Sequence, residues 1–300
     1  MSPTARPTSR GRHVGDRALV TAPALPRIDP TDSAAVVARA LVHLFGAVDG
    51  LPCKVSWVQR ETAHRLVDEA DPALAAAARA IAQAIDADAG VHDRQPYHCR
   101  QHFCEVMLAA STLSQVHRLS SRSAQLLLLS ALIHDLEHDG KPNLDFRLER
   151  ASIARATPHL VAAGVDAEAR QRLAALVLAT EPHHGVRAAR LAQNFHASGV
   201  ALPSRFDGPS ELLLLAQDEG LSRLAMLLCE ADVLPSVGFT LAHAMRLQGL
   251  LAREWGRDLG PSDKLAFIDA VLSAGVIGPF FLPNVAAIRQ QLARRVGEPR

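Results

Sequence analysis

Along most of the chain, apolar residues recur at spacings of three and four, as they do in helices that bury one face. Alanine, leucine and valine follow this rhythm over residues 33–48, 61–69 and 72–86. The rhythm returns over 100–116, 123–137, 146–163, 167–180, 211–232, 237–254 and 262–273. Breakers separate these stretches: Gly140 with Pro142, Pro182, Pro203 with Gly208 and Pro209, and Gly260 with Pro261. Alternating strand patterns are almost absent and no fixed-period repeat appears, so the pattern predicts an all-α protein, a compact multi-helix bundle rather than a solenoid.

The first thirty residues hold five prolines and five arginines with little periodicity. They are expected to form a flexible tail (1–30) outside the fold. Residues 31–300 are expected to form a single helical domain, with 31–95 as its front helices and 96–290 as the core that carries the chemistry. No polar linker divides Ala89 from the histidines that follow. A homodimer built through the front helices is left open. The uncharged run 270–288 has the length of a membrane span, but Gly275, Gly278, Pro279, Pro283 and Asn284 interrupt it, so it reads as a buried, broken segment.

Composition narrows the function. With 32 basic and 31 acidic residues the net charge is +1, which argues against a nucleic-acid polymer or a membrane surface as partner. Four cysteines fall in no CxxC pair and no signal-peptide pattern precedes them, so the expected location is cytoplasmic. Fourteen histidines are the informative excess, because imidazole at that density suggests metal or proton chemistry.

Three segments carry that chemistry. In Tyr97-His98-Cys99-Arg100-Gln101-His102, a helix would place His98 and His102 one turn apart, with Val106, Ala110 and Leu113 extending the His102 face inward. Taken alone, His102 could equally be a satisfied core histidine. In LLLLSALIHDLEHDGKPN, residues 126–143, a continuous helix would put Leu127, Ala131, His134 and His138 on one face, with Asp135 closing an almost uncharged run. A buried carboxylate there is costly unless a cation compensates it. Leu221, Ala225, Leu228 and Asp232 then recur at spacings of four, three and four, placing a second carboxylate where a core residue belongs, unless it pairs with an arginine or caps a helix.

In order, these motifs resemble the HD superfamily of metal-dependent phosphohydrolases, and specifically the catalytic domain of class I 3',5'-cyclic nucleotide phosphodiesterases. YHCRQHFCEV, HDLEHDGKPN, Val177-Leu-Ala-Thr-Glu181 and Cys229-Glu-Ala-Asp232 match the family's motifs, and the resemblance covers about two thirds of the chain, residues 97–288. Cys99 stands where the family has asparagine, and Asp139 where it has the proline of its HPG turn.

The resemblance implies that His102, His134, Asp135 and Asp232 bind a first divalent metal, zinc, iron or manganese, with Asp135 bridging to a second, magnesium or manganese. It implies His98 as general acid, His138 facing the second metal's waters or the phosphate, and Thr180 and Glu181 near the same shell. Because Thr180 and His184 would share a helical face above the expected metal site, either His183 or His184 is a further ligand of the second metal or, with a turn at Pro182, the two are a solvated pair of loop histidines. At the substrate end, Pro283-Asn-Val-Ala-Ala-Ile288 falls on the family's base-binding segment, with Asn284 at its glutamine and Ala287 at its stacking aromatic. Asn284 is thus an expected base contact, and Phe281, with Phe280, is either a replacement clamp or core. The expected reaction is hydrolysis of a small nucleotide phosphodiester by activated water, with His98 protonating the departing alkoxide. An HD-fold di-iron oxygenase and a catalytically silent metal-binding regulator share the same ligands.

Overall fold

The computed structural model describes residues 23–25, 32–66, 71–141, 143, 145–199 and 208–297. Apart from 23–25, the expected tail lies outside the described residues. Among those residues there are α-helices, one 3-10 turn and no strand.

The helices are α1 (Ala34–Asp49), α2 (Lys54–Ala63), α3 (Pro72–Ala87), α4 (Ala89–His92), α5 (Arg100–Val116), α6 (Ser121–Ile133) and α7 (Arg147–Ala162). They continue with α8 (Ala167–Leu178), α9 (His184–Ser198), α10 (Leu213–Gln217), α11 (Glu219–Val237), α12 (Leu241–Trp255), α13 (Pro261–Ser273) and α14 (Leu282–Gly297). Side-chain caps start several of them: Asp71 accepts from Ala73 and Leu74, Ser120 from Ser123, Asp166 from Ala169, Asp218 from Leu221 and Thr240 from His243.

Two helices are central. From Gln101 to Ser114 every residue of α5 is buried, so this helix is enclosed on all sides. It packs against α1, α2, α6 and α11, while α11 also meets α6, α8, α9 and α12. One hydrophobic cluster runs from Val37 through both central helices to Leu292. No single described helix is long and apolar enough to cross a membrane.

Several boundaries differ from the sequence pattern, each for a local reason. The second helix covers 54–63 instead of 61–69. The stretch read as 211–232 is broken at Asp218, whose side chain caps α11, and α11 then runs past Asp232 and through Pro235 to Val237. Helix α9 escaped notice because its buried residues are Gly185, Ala188, Ala189 and Ala192, too small to give a strong apolar signal. Pro283 lies in the first turn of α14, where a missing N–H breaks no bond, so the interruption after α13 closes at Phe281.

Candidate metal centre

Each ligand residue sits where a central element ends or turns. His102 is in the first turn of α5, Asp232 is one turn from the end of α11, and α6 stops at Ile133 so that His134 and Asp135 fall in the turn beyond it. The helix does not continue to Glu137 as its apolar pattern suggested. His134 donates its backbone N–H to Ser130, and Leu136 and His138 close tighter turns onto Ile133 and Asp135. His98 likewise precedes α5 rather than belonging to it, with Cys99 at the N-cap. The two histidines still meet, their ring centroids 5.5 Å apart.

Four ligand atoms converge on one point. His102 Nε2 and His134 Nε2 are 3.3 Å apart. Asp135 Oδ2 lies 3.2 Å from each, and Asp232 Oδ1 lies 3.3 Å from His102 and 3.4 Å from His134. A cation held by four such atoms at ~2.0–2.1 Å in a tetrahedral array would separate them by about 3.3–3.4 Å. The donor set therefore fits a divalent metal. His134 Nδ1 lies 2.9 Å from the carbonyl of Ala131; donating there places the proton on Nδ1 and leaves the Nε2 lone pair for the cation.

The electrostatics agree with that reading. Burial opposes charge on both rings, yet the carboxylates of Asp135 and Asp232 push His102 up to about 9 and hold His134 well above its ordinary value. Burial also opposes the carboxylates, and the imidazoles outweigh it, keeping Asp135 and Asp232 well below the usual range. Each charge is favourable only because the others are present.

A second convergence joins His98, His138 and Glu254. His98 Nδ1 is 2.5 Å from Glu254 Oε1, a hydrogen-bond separation. The other carboxylate oxygen accepts the backbone N–H groups of Tyr97 and His98, both at 3.0 Å. His138 stacks on His98 with centroids 3.4 Å apart and accepts the N–H of Gly140 at Nδ1, 3.2 Å away. Gly140 has φ +73, a left-handed backbone conformation that favours glycine in this turn. Burial drives His138 down to about 4, against the opposing pull of Asp135, so His138 is neutral near pH 7. Tyr97 packs on both His98 and His102, at 4.6 and 5.1 Å between centroids.

The remaining expected residues are placed differently. Glu181 is buried, and its Oε2 accepts the N–H groups of His183, His184 and Gly185 at 3.2, 2.5 and 3.0 Å, so it caps α9. Gly185 fits there because a Cβ would strike the carbonyl of Leu178. Thr180 donates its hydroxyl to Val177, 2.8 Å away. His184 is exposed, its ring facing Phe146 at 6.2 Å. None of these three joins either ligand group.

Phe281 is fully buried against Phe239 and Phe280, so its ring is core and offers no face to a base. Asn284 gives its amide N–H to the carbonyls of Gly238 and Phe239, holding the α11–α12 turn rather than a ligand.

Two acidic residues that sequence reasoning passed over stand near the cluster. Glu254 is a lone carboxylate at the end of an amphipathic helix and no spacing marks it. Glu149 is gripped by Asn143, whose Nδ2 is 2.7 and 2.9 Å from its two oxygens. Burial, reinforced by Asp135 and Glu181, pushes Glu149 up to about 7. The LEHDGKPN stretch could have pointed to it, since Asn143 ends that motif.

No family model matches the sequence, and no curated protein matches it. The structure is similar to that of LmjPDEB1 in complex with IBMX, at 16% identity over 89% of this chain and 92% of that one, with a TM-score of 0.55. It is also similar to the phosphodiesterase domain of the RhoPDE fusion protein from the choanoflagellate Salpingoeca rosetta, at 16% identity, 89% and 93% coverage and a TM-score of 0.53. A second structure, the phosphodiesterase domain of the Salpingoeca rosetta rhodopsin phosphodiesterase, gives 16%, 89%, 90% and 0.55. This chain therefore has the all-α fold of phosphodiesterase catalytic domains, with a His/Asp cluster suited to a metal at its centre.

Proposed function

We propose that the protein is a metal-dependent phosphodiesterase whose substrate is a 3',5'-cyclic nucleotide or a related small nucleotide. The observation that carries this reading is the convergence of His102, His134, Asp135 and Asp232 beside a His98 ring held by Glu254. These four residues would hold a divalent cation, which would supply Lewis-acid chemistry for activating water and stabilising charge on the phosphoryl oxygens.

The chain's own groups account for the rest. Glu254, bonded to His98 Nδ1, fixes the ring and leaves its Nε2 free to face the departing alkoxide, whose proton His98 would supply. His138, held neutral by burial, stacks on His98 and braces that ring. Tyr97 shields one side of both His98 and His102. Glu149, held by Asn143 and pushed up to about 7 by burial, can take up or give a proton near neutrality.

The oxygenase alternative needs more imidazole around a second iron. His183 and His184, which the sequence offered for it, are both exposed and belong to neither ligand group, so they do not supply it.

The test is metal analysis of the purified protein together with hydrolysis of bis(4-nitrophenyl) phosphate and a panel of cyclic nucleotides, comparing wild type with Asp135→Ala. Metal-dependent turnover lost in the variant supports the reading. Two tightly held irons without hydrolysis would point to the oxygenase, and absence of bound metal would overturn both.

A further inference from the structure

Glu105 lies on α5 one turn beyond His102 and is 1% exposed. It belongs to neither ligand group, yet its carboxylate is fully engaged. Oε1 accepts from Gln101 Nε2 at 3.2 Å and from Arg246 Nη2 at 3.1 Å, and Oε2 lies 3.0 Å from Nε2 of the buried His243. His243 and Arg246 both belong to α12. A buried ion pair adds little net stability over well-packed apolar side chains, because desolvation cancels most of the attraction. What it fixes is geometry, since moving either helix would strand a buried carboxylate.

That geometry bears on the acid. Helix α12 packs mainly against α11, α13 and α14, and it follows α11 through a bend of 95°. Two polar ties join it to the start of α5. At one, Glu105 of α5 bonds His243 and Arg246. At the other, Glu254 of α12 takes the backbone N–H groups of Tyr97 and His98 and bonds the His98 ring. Along the chain around α5 the two ties flank the ligand His102. Along α12 they stand two to three turns apart, about 12–16 Å. A helix pinned at one point can still swing or slide, whereas one pinned at two has its register set, and with it the place of Glu254.

We propose that Glu105 is a positioning residue for the acid: through His243 and Arg246 it holds α12 in the register that lets Glu254 orient His98. This rests on the phosphodiesterase reading above. Glu105 acts only through Glu254, so its effect belongs to protonation of the leaving group and not to metal binding.

The experiment compares wild type, Glu105→Gln, Glu254→Gln and the double variant on two leaving groups. A 3',5'-cyclic nucleotide expels an alkoxide, which needs a proton, whereas bis(4-nitrophenyl) phosphate expels nitrophenolate, a stable anion that does not. Glu105→Gln should lower kcat on the cyclic nucleotide by roughly 10²-fold, the cost of misplacing a reacting group by about 1 Å. KM and bound metal should stay as they are, and aryl diester turnover should fall far less. Added to Glu254→Gln, the same change should cost almost nothing more, because both act through one contact. The short His98–Glu254 hydrogen bond should also give a far-downfield proton resonance, which Glu254→Gln removes and Glu105→Gln shifts.

If Glu105 merely holds the fold, Glu105→Gln will lower melting temperature and both rates in equal proportion, and its cost will add in full to that of Glu254→Gln. Either result overturns the proposal, and so does an unshifted resonance. Should Glu105→Gln fail to fold, Arg246→Met, at a half-exposed partner of the same carboxylate, should show the same pattern at smaller size. If no diester is hydrolysed, the phosphodiesterase reading falls, and the resonance still decides whether Glu105 governs the contact between Glu254 and His98.

Discussion

Metal binding at the His/Asp cluster should release protons, and the structure sets how many. Burial opposes charge on His102, but Asp135 and Asp232 raise it from 6.5 to about 9. A cation at Nε2 must displace that proton. At pH 7 the ring is ~2 units below its titration point, so displacement offsets ~3 kcal/mol of intrinsic affinity. His134 is raised in the same direction by the same carboxylates and adds a second proton. Apparent affinity should therefore fall by about tenfold per proton for each unit of pH, or up to ~100-fold per unit between pH 8 and 6.

The assay is calorimetric titration of zinc or manganese into chelator-stripped protein, in two buffers of different ionisation enthalpy. Release close to two protons at pH 7 is expected, declining above about pH 9. Thermal melts give an independent check with a definite sign. A histidine whose folded value is raised adds stability that is complete below 6.5 and lost as pH rises through about 9. The stripped protein's Tm should fall over that window, and the metal-loaded protein's should fall less. Affinity that stays flat from pH 6 to 8, with release near zero, would refute the electrostatic account of the cluster.

Three further outcomes follow from contacts already described. Glu254→Gln removes the carboxylate that holds His98 at 2.5 Å; kcat should drop by about 10²–10⁴ with metal content unchanged, and full activity would remove His98 as the acid. Phe281→Ala should destabilise the fold by about 3–5 kcal/mol in denaturant melts, as expected for a fully buried ring, and a change confined to KM would instead return Phe281 to the substrate site. His184→Ala, at an exposed position, should leave bound metal and stability within about 0.5 kcal/mol of wild type, and loss of one equivalent of metal would place it in the centre after all.

Short-range physics made much of the molecule readable in advance. Apolar spacing depends only on the 3.6-residue helical repeat, so α1, α3, α5, α7, α8 and α13 were legible to within a few residues. His102, His134, Asp135 and Asp232 stood out because polar groups at buried helical positions need a partner, and these four do come together. What periodicity cannot encode is which distant side chain supplies a partner. Glu254 binds the backbone of His98 across 156 positions of sequence, and the Lys264 ammonium on α13 reaches the carbonyl of Ser236 in α11 across 28.

Residue type alone also could not separate a capping carboxylate from a ligand, or a core ring from a stacking one. Glu181 became a cap because Gly185 lets α9 approach closely, and Phe281 became core because it packs against Phe239 and Phe280. Helix faces were thus determined locally, by spacing and by the energetic demand of buried charge. The choice of which faces meet was decided only by long-range packing, which fixes distances that no window of sequence contains.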